Sequence, residues 1–254
     1  MPHIDEYPPR NVLDREGWDR YWERQSTSKW LLFKDSMIDD YWLARTMRRL
    51  GYRTILCAGN GLSFEPFALA SAGFEVTAAD LSSWAMNYLA KLKVKQQFLR
   101  RYFTSPRYMS LKPLFPLMGL RFAFHFNTRK LMSELFNPAG RGGPTPTFLA
   151  GDLFDPNFCP GPFDVIIERR TLQLYPPQDR DAILRRLCDR LNRSGIFVSH
   201  CHMGWSGPGD DAAEHMFLDW FQEHGFLIQK QRLGHLDRAK KNPGRIALLS
   251  YSTG

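Results

Sequence analysis

No Cys-x-x-Cys spacing occurs in this 254-residue chain; its four cysteines, Cys57, Cys159, Cys188 and Cys201, are scattered. That pattern argues against a disulfide framework or a zinc site and suits reduced thiols in the cytoplasm. No stretch near residue 1 joins basic residues to an apolar run, so no secretory signal is expected. No run approaches the ~18 apolar residues that a membrane-spanning helix needs. Internal repeats are missing as well. Acidic residues are scarce in one place: from Trp84 to Thr147, eleven Lys or Arg stand against Glu134 alone, a local +10 in a chain of net +8. The remainder therefore carries −2, and a basic module is set into a nearly neutral domain.

Around that module, apolar runs alternate with amphipathic ones. Near the start, Trp18, Tyr21 and Trp22 fall at i, i+3, i+4, one face of a helix. A second helix is expected from Asp35 to Leu50, capped by Asp35 or Ser36 and stopped by Gly51. "RTILCA" reads as a buried strand, "FEPFALASA" as a helix capped by Ser63 and closed by Gly73, and "FEVTAAD" as a strand ending at Asp80. After the basic segment come strands "TFLAGDL" and "FDVIIE". A helix is expected over "PQDRDAILRRLCDRLNRSG", with Ile183, Leu184, Leu187, Cys188 and Leu191 on one face and Gly195 as terminator. "GIFVSHCH", a helix with Met216, Phe217, Trp220 and Phe221 inward, and two final strands complete the series. Strands alternating with helices imply an α/β fold, a doubly wound sheet covered on both faces. The last two strands lack an intervening helix, so they should pair antiparallel.

"ILCAGNGLSFE" carries the chemistry. A strand ends in Gly59-Asn60-Gly61 and a helix begins, so a ligand can approach bare backbone and the unpaired N–H groups of a helix start. Asp80 lies 21 residues after Gly59, at the tip of the next strand, where a carboxylate can bond the two hydroxyls of a ribose. A dinucleotide site wants a third glycine where Phe64 stands, and no Gly-Lys-Ser/Thr follows, so neither NAD nor a nucleoside triphosphate fits well.

The series "ILCAGNGLSFEPFALASAGFEVTAADLS", "FLAGDLFD" and "FDVIIERRTLQLYPPQDRDAILRRLCDRLNRSGIFV" resembles the class I S-adenosylmethionine-dependent methyltransferases over residues 36–83 and 147–254. The resemblance implies a Rossmann-like, mostly parallel seven-stranded sheet with an antiparallel last strand, and S-adenosylmethionine as cofactor. In that family the first strand usually ends in an acid before the Gly turn; Cys57-Ala58 stands there instead. By resemblance, Gly59, Asn60 and Gly61 would pass under the methionine part, Asp80 would take the ribose and Leu81 would pack on the adenine. Asp152 would accept the adenine amino group, Leu153 would offer backbone contact, and Glu168 would sit beside the methyl group.

Methyl transfer needs alignment above all. A proton-bearing acceptor also needs a base, and Glu168, Tyr175, His200 and His202 stand near the C-terminal strand edge. The two histidines suit structural or solvent-facing roles equally. Alternation puts Cys201 on the face opposite both, so no metal site is expected. Arg169, Arg170 and Tyr21 are candidate substrate contacts. Neither Pro-Cys, as cytosine C5 chemistry needs, nor Asn-Pro-Pro-Tyr, as base-amino methylation needs, is present.

Three parts follow: N-terminal helices over the pocket (1–50), the cofactor domain (51–83 and 147–254) and a helical basic insertion (84–146) placed to act as a lid. The insertion's charge fits a solvated face, the attraction of an anionic small substrate, or docking on RNA or an anionic membrane. The expectation is methyl transfer to O, N or S of a small, anionic or aromatic molecule. RNA methylation and non-catalytic cofactor binding are the alternatives.

Overall fold

A computed structural model describes residues 14–26, 37–63, 65–91, 145–169, 171–172, 175, 177–201, 219–233 and 245–251. Most of the basic segment (92–144), Arg170, His202 and the cap candidates Asp35 and Ser36 lie outside these, as do the side chains of Arg169 and His200. Seven strands are formed: β1 (Thr54–Ala58), β2 (Glu75–Asp80), β3 (Thr147–Ala150), β4 (Phe163–Arg169), β5 (Leu191–Cys201), β6 (Phe226–Leu233) and β7 (Arg245–Tyr251). They make one sheet in the order β3-β2-β1-β4-β5-β7-β6. The first five of that order are parallel neighbours. β7 runs antiparallel to both β5 and β6. The helices are α1 (Arg15–Ser26), α2 (Met37–Arg49), α3 (Glu65–Ser71), α4 (residues 83–91), α5 (Pro177–Cys188) and α6 (residues 219–223). None among the described residues is long and apolar enough to cross a membrane.

A parallel strand covered on both faces has no polar side to show, which is why β1 is a nearly unbroken apolar run. Its alternate residues serve two cores. Ile55 and Cys57 join Leu43 and Met47 of α2, Phe67 and Leu69 of α3, and Ala85, Met86 and Leu89 of α4. Leu56 and Ala58 face Ile183, Leu184 and Leu187 of α5, with Phe197, Phe221 and Phe226. Each fully buried Leu, Ile or Phe contributes about 1.5–3 kcal/mol relative to exposure. Residues 84–91, set apart in the sequence as the start of the insertion, thus pack in the sheet's own core.

Helix ends follow the sequence signals. At the end of α3, Gly73 N–H donates to Ala70 O (2.9 Å) and Phe74 N–H to Leu69 O (3.2 Å), the paired bonds that close a helix at a left-handed residue. One boundary differs from expectation. α5 stops at Cys188 instead of running to Gly195, and Leu191 pairs with Phe163 as the first residue of β5. Arg190 supplies the reason. Its buried guanidinium donates to the carbonyls of Asp155 (2.8 Å), Phe158 (3.0 Å), Cys159 (3.2 Å) and Arg186 (2.5 Å). Tying the helix end to the 155–159 loop turns the chain away before another helical turn can form. Residues 192–195 then bulge, because β5 moves from Leu191 to Ile196 while β4 moves from Phe163 to Val165.

Candidate active site

The site lies at the C-terminal ends of β1, β2 and β4, where the order of connections reverses and an open parallel sheet offers a crevice. The turn after β1 is held against β2: Gly59 N–H (2.9 Å) and Asn60 N–H (3.2 Å) both donate to Ala79 O. Gly59 and Gly61 have φ of 63° and 51°, the left-handed region that a side chain disfavours. A Cβ on Gly59 would run into the Thr171 side chain, and one on Gly61 into the indole of Trp22. Asn60 braces the turn from within, its amide donating to Gly61 O (3.2 Å) and Ser63 O (3.3 Å). Ser63 caps α3 through Glu65 N–H (3.2 Å).

Asp80 sits at the tip of β2 with its carboxylate buried. One oxygen accepts Gly61 N–H (2.7 Å), the other Ser82 N–H (2.8 Å). Burial pushes its pKa up to about 6, against the lowering effect of those two bonds, and nearby Asp19 raises it further. Asp19 belongs to α1 and reaches the start of α4, accepting the Ser82 hydroxyl (2.5 Å) and Trp84 N–H (2.9 Å). Ser82 in turn accepts Ala85 N–H (3.0 Å) as the α4 cap. With Trp22 on Gly61, α1 therefore closes over the edge that carries the Gly turn. Tyr21 packs edge-on to both Trp18 (5.5 Å) and Trp22 (4.8 Å) within α1.

Beyond β3, Asp152 accepts Phe154 N–H (2.8 Å), and Leu153 is buried in the core under it. Leu81 is half-buried beside Asp80. Tyr175 meets Phe154 edge-on at 5.4 Å, and its hydroxyl pKa is raised by burial first and then by Asp80 and Asp152. The structure thus gathers Asp80, Asp152 and Tyr175 on one side of the Gly turn.

Glu168 is on the other side, 1% exposed. Its neighbours across the sheet are Ala58 and Ser199, on the same face. One carboxylate oxygen accepts the Ser199 hydroxyl; the other accepts Thr171 N–H (2.9 Å) and Leu172 N–H (3.3 Å). Burial raises its pKa while these donors lower it. Thr171 continues the chain of bonds, its hydroxyl donating to Ala58 O (3.1 Å) and Gly59 O (3.3 Å). Cys57 points into the opposite core and brings no charge here.

Neither a family model nor a curated protein matches the sequence. Solved structures do match. A TehB-like S-adenosylmethionine-dependent methyltransferase from Corynebacterium glutamicum superposes with a TM-score of 0.51 at 14% identity, over 94% of this chain and 98% of that one. A glycopeptide N-methyltransferase gives 0.54 at 13%, over 86% and 97%. The 1,6-didemethyltoxoflavin-N1-methyltransferase of Burkholderia thailandensis, solved with its substrate and S-adenosylhomocysteine, gives 0.54 at 14%, over 92% and 87%. The fold is that of the class I S-adenosylmethionine-dependent methyltransferases.

Within that methyltransferase fold, sequence reasoning missed Asp19, Trp22, Ser82, Thr171 and Ser199 as parts of the site. Ser82 had a local signal, a serine opening an apolar helix. The roles of Thr171 and Ser199 arise from β1, β4 and β5 lying side by side, which no local pattern announces.

Proposed function

We propose that the chain is a methyltransferase that binds S-adenosylmethionine at the Gly59–Gly61 turn and methylates an oxygen, nitrogen or sulfur of a small molecule. The observation that carries this is the buried Asp80 carboxylate bonded to Gly61 N–H at adjoining strand tips. The residues fit the cofactor: the two left-handed glycines, packed on Thr171 and Trp22, turn the chain beside the α3 start, and each Asp80 oxygen accepts one N–H and keeps a lone pair for a hydroxyl. When bound, S-adenosylmethionine supplies an electrophilic methyl group.

The chain's residues then bind and align. Asp80 takes the ribose hydroxyls. Leu81, Leu153 and Asp152 receive the adenine, with Tyr175 as its wall; a phenol whose pKa is driven upward stays protonated at neutral pH and makes a poor base. Glu168 is sealed from solvent, which suits it to hold the turn rather than to exchange protons with an acceptor. His200 and His202, at the end of β5 or just beyond it, are left as bases, with Arg169, Arg170 and Tyr21 toward the acceptor. Trp22 lies on Gly61, so α1 borders the turn that takes the cofactor and keeps water from that side of it. Calorimetry of the folded chain with S-adenosylmethionine and S-adenosylhomocysteine tests the reading. Binding of either supports it; no heat with both refutes it. Transfer of labelled methyl to a panel of small molecules, with RNA as a separate arm, then identifies the acceptor class.

A further inference from the structure

Two main-chain donors orient the Asp80 carboxylate, and α1 reaches the residues that carry both. Gly61 N–H donates to one oxygen (2.7 Å) and Ser82 N–H to the other (2.8 Å). Trp22 lies against Gly61. Asp19, three residues earlier and so on the same side of α1, accepts the Ser82 hydroxyl (2.5 Å). Ser82 is fully buried, and its hydroxyl has one hydrogen to give. That hydrogen goes to Asp19, while the hydroxyl oxygen accepts Ala85 N–H (3.0 Å) at the start of α4. The same Asp19 oxygen also accepts Trp84 N–H (2.9 Å). Asp19 thus fixes the bend between β2 and α4 from which Ser82 N–H reaches Asp80. A serine cap alone would serve α4. The second carboxylate comes from 63 positions away in the chain and meets the like charge of Asp80, a repulsion that capping does not require.

We propose that Asp19 is a positioning residue for Asp80: through Ser82, which both carboxylates engage, it fixes the group that takes the ribose. This rests on the methyltransferase reading and deepens it, because the cofactor site is then complete only with α1 docked. The charge on Asp19 has a second effect. Among the described residues, the ionisable side chains facing Asp80 are Asp19 from α1 and Tyr175 from beyond β4, with Asp152 from beyond β3 acting on Tyr175 in turn. Asp19 is one of the influences that push the Asp80 pKa up. A ribose needs Asp80 ionised, so Asp19 supports the site with its oxygen and narrows the pH range of binding, on the acid side, with its charge.

The test is calorimetry of S-adenosylhomocysteine binding to the full chain between pH 5 and 8. At pH 8, Asp19→Ala should weaken binding about tenfold. Asp19→Asn keeps an oxygen for both Ser82 O–H and Trp84 N–H, and should recover affinity to within about threefold of wild type. The Asn variant should also hold its affinity to lower pH than wild type does, since Asp80 has lost a negative neighbour. An Asp19→Ala protein that binds like wild type overturns the proposal. So does an Asn variant as weak as the Ala variant, or one whose affinity falls at the same pH as wild type. If the Ala variant fails to fold, the acid limit of the Asn variant decides. Folded wild type that binds neither S-adenosylhomocysteine nor S-adenosylmethionine would instead sink the methyltransferase reading, and this inference with it.

Discussion

Gly59→Ala tests the packing of the turn against Thr171, just beyond β4. Two costs add. At φ 63° a side chain is strained by about 1 kcal/mol, net of the entropy alanine saves in the unfolded chain. The new methyl also occupies the space of the Thr171 side chain, which must rotate away and surrender its bonds to Ala58 O and Gly59 O. That hydroxyl's one hydrogen is shared between the two carbonyls, and losing it adds about 1–2 kcal/mol, so the single variant should lose about 2–3 kcal/mol. Thr171→Ala alone gives up the same bonds and should lose about 1–2 kcal/mol. In the double variant the collision is gone and the bonds are already lost, leaving the backbone strain plus the Thr171 cost, about 2–3 kcal/mol. Urea denaturation of the four proteins should therefore show a coupling of about 1–2 kcal/mol. Additive losses would refute the contact between the turn and Thr171, and with it the path from Glu168 to the turn.

Other consequences are equally open to measurement. Asp80, with a pKa of about 6, binds its proton more tightly folded than unfolded, so its charge costs stability above pH 6 and that cost fades as pH falls toward 4. A ribose needs the ionised form, so S-adenosylhomocysteine affinity should be flat above pH 7 and fall below 6, and a flat calorimetric profile from pH 5 to 8 would contradict the assignment. Arg190→Ala should cost about 3 kcal/mol in urea melts, since it strands carbonyls in the 155–159 loop and at the end of α5. Leu89→Ala should cost about 2–5 kcal/mol, since α4 belongs to the sheet core; a loss below 1 kcal/mol would return it to the inserted segment.

Much of the frame was legible because it is local. β1 and β2 are short apolar runs ending in a glycine turn and an acid, and their order alone placed Asp80 beside that turn. Ser63 and Gly73 marked the ends of α3 by their own chemistry. The α5 boundary was not legible. Leu191 fits the helical spacing as well as any residue in α5, and the partners that pull Arg190 aside come from a loop some thirty positions earlier. Glu168 drew notice as the end of a strand, but its bonds to Ser199 and Thr171 depend on the register of three strands. Asp19 was counted only as part of an amphipathic helix, since its partners Ser82 and Trp84 are more than sixty residues away.

The order of the sheet constrains how the chain can be made. β6 has β7 as its one described neighbour, and β7 slots between β5 and β6. A nascent chain that has just released β6 holds a strand with nowhere to dock until residues 245–251 leave the ribosome. That half of the sheet is then stitched by β7, and a chain cut short before it would leave the β7 side of β5 open to other chains.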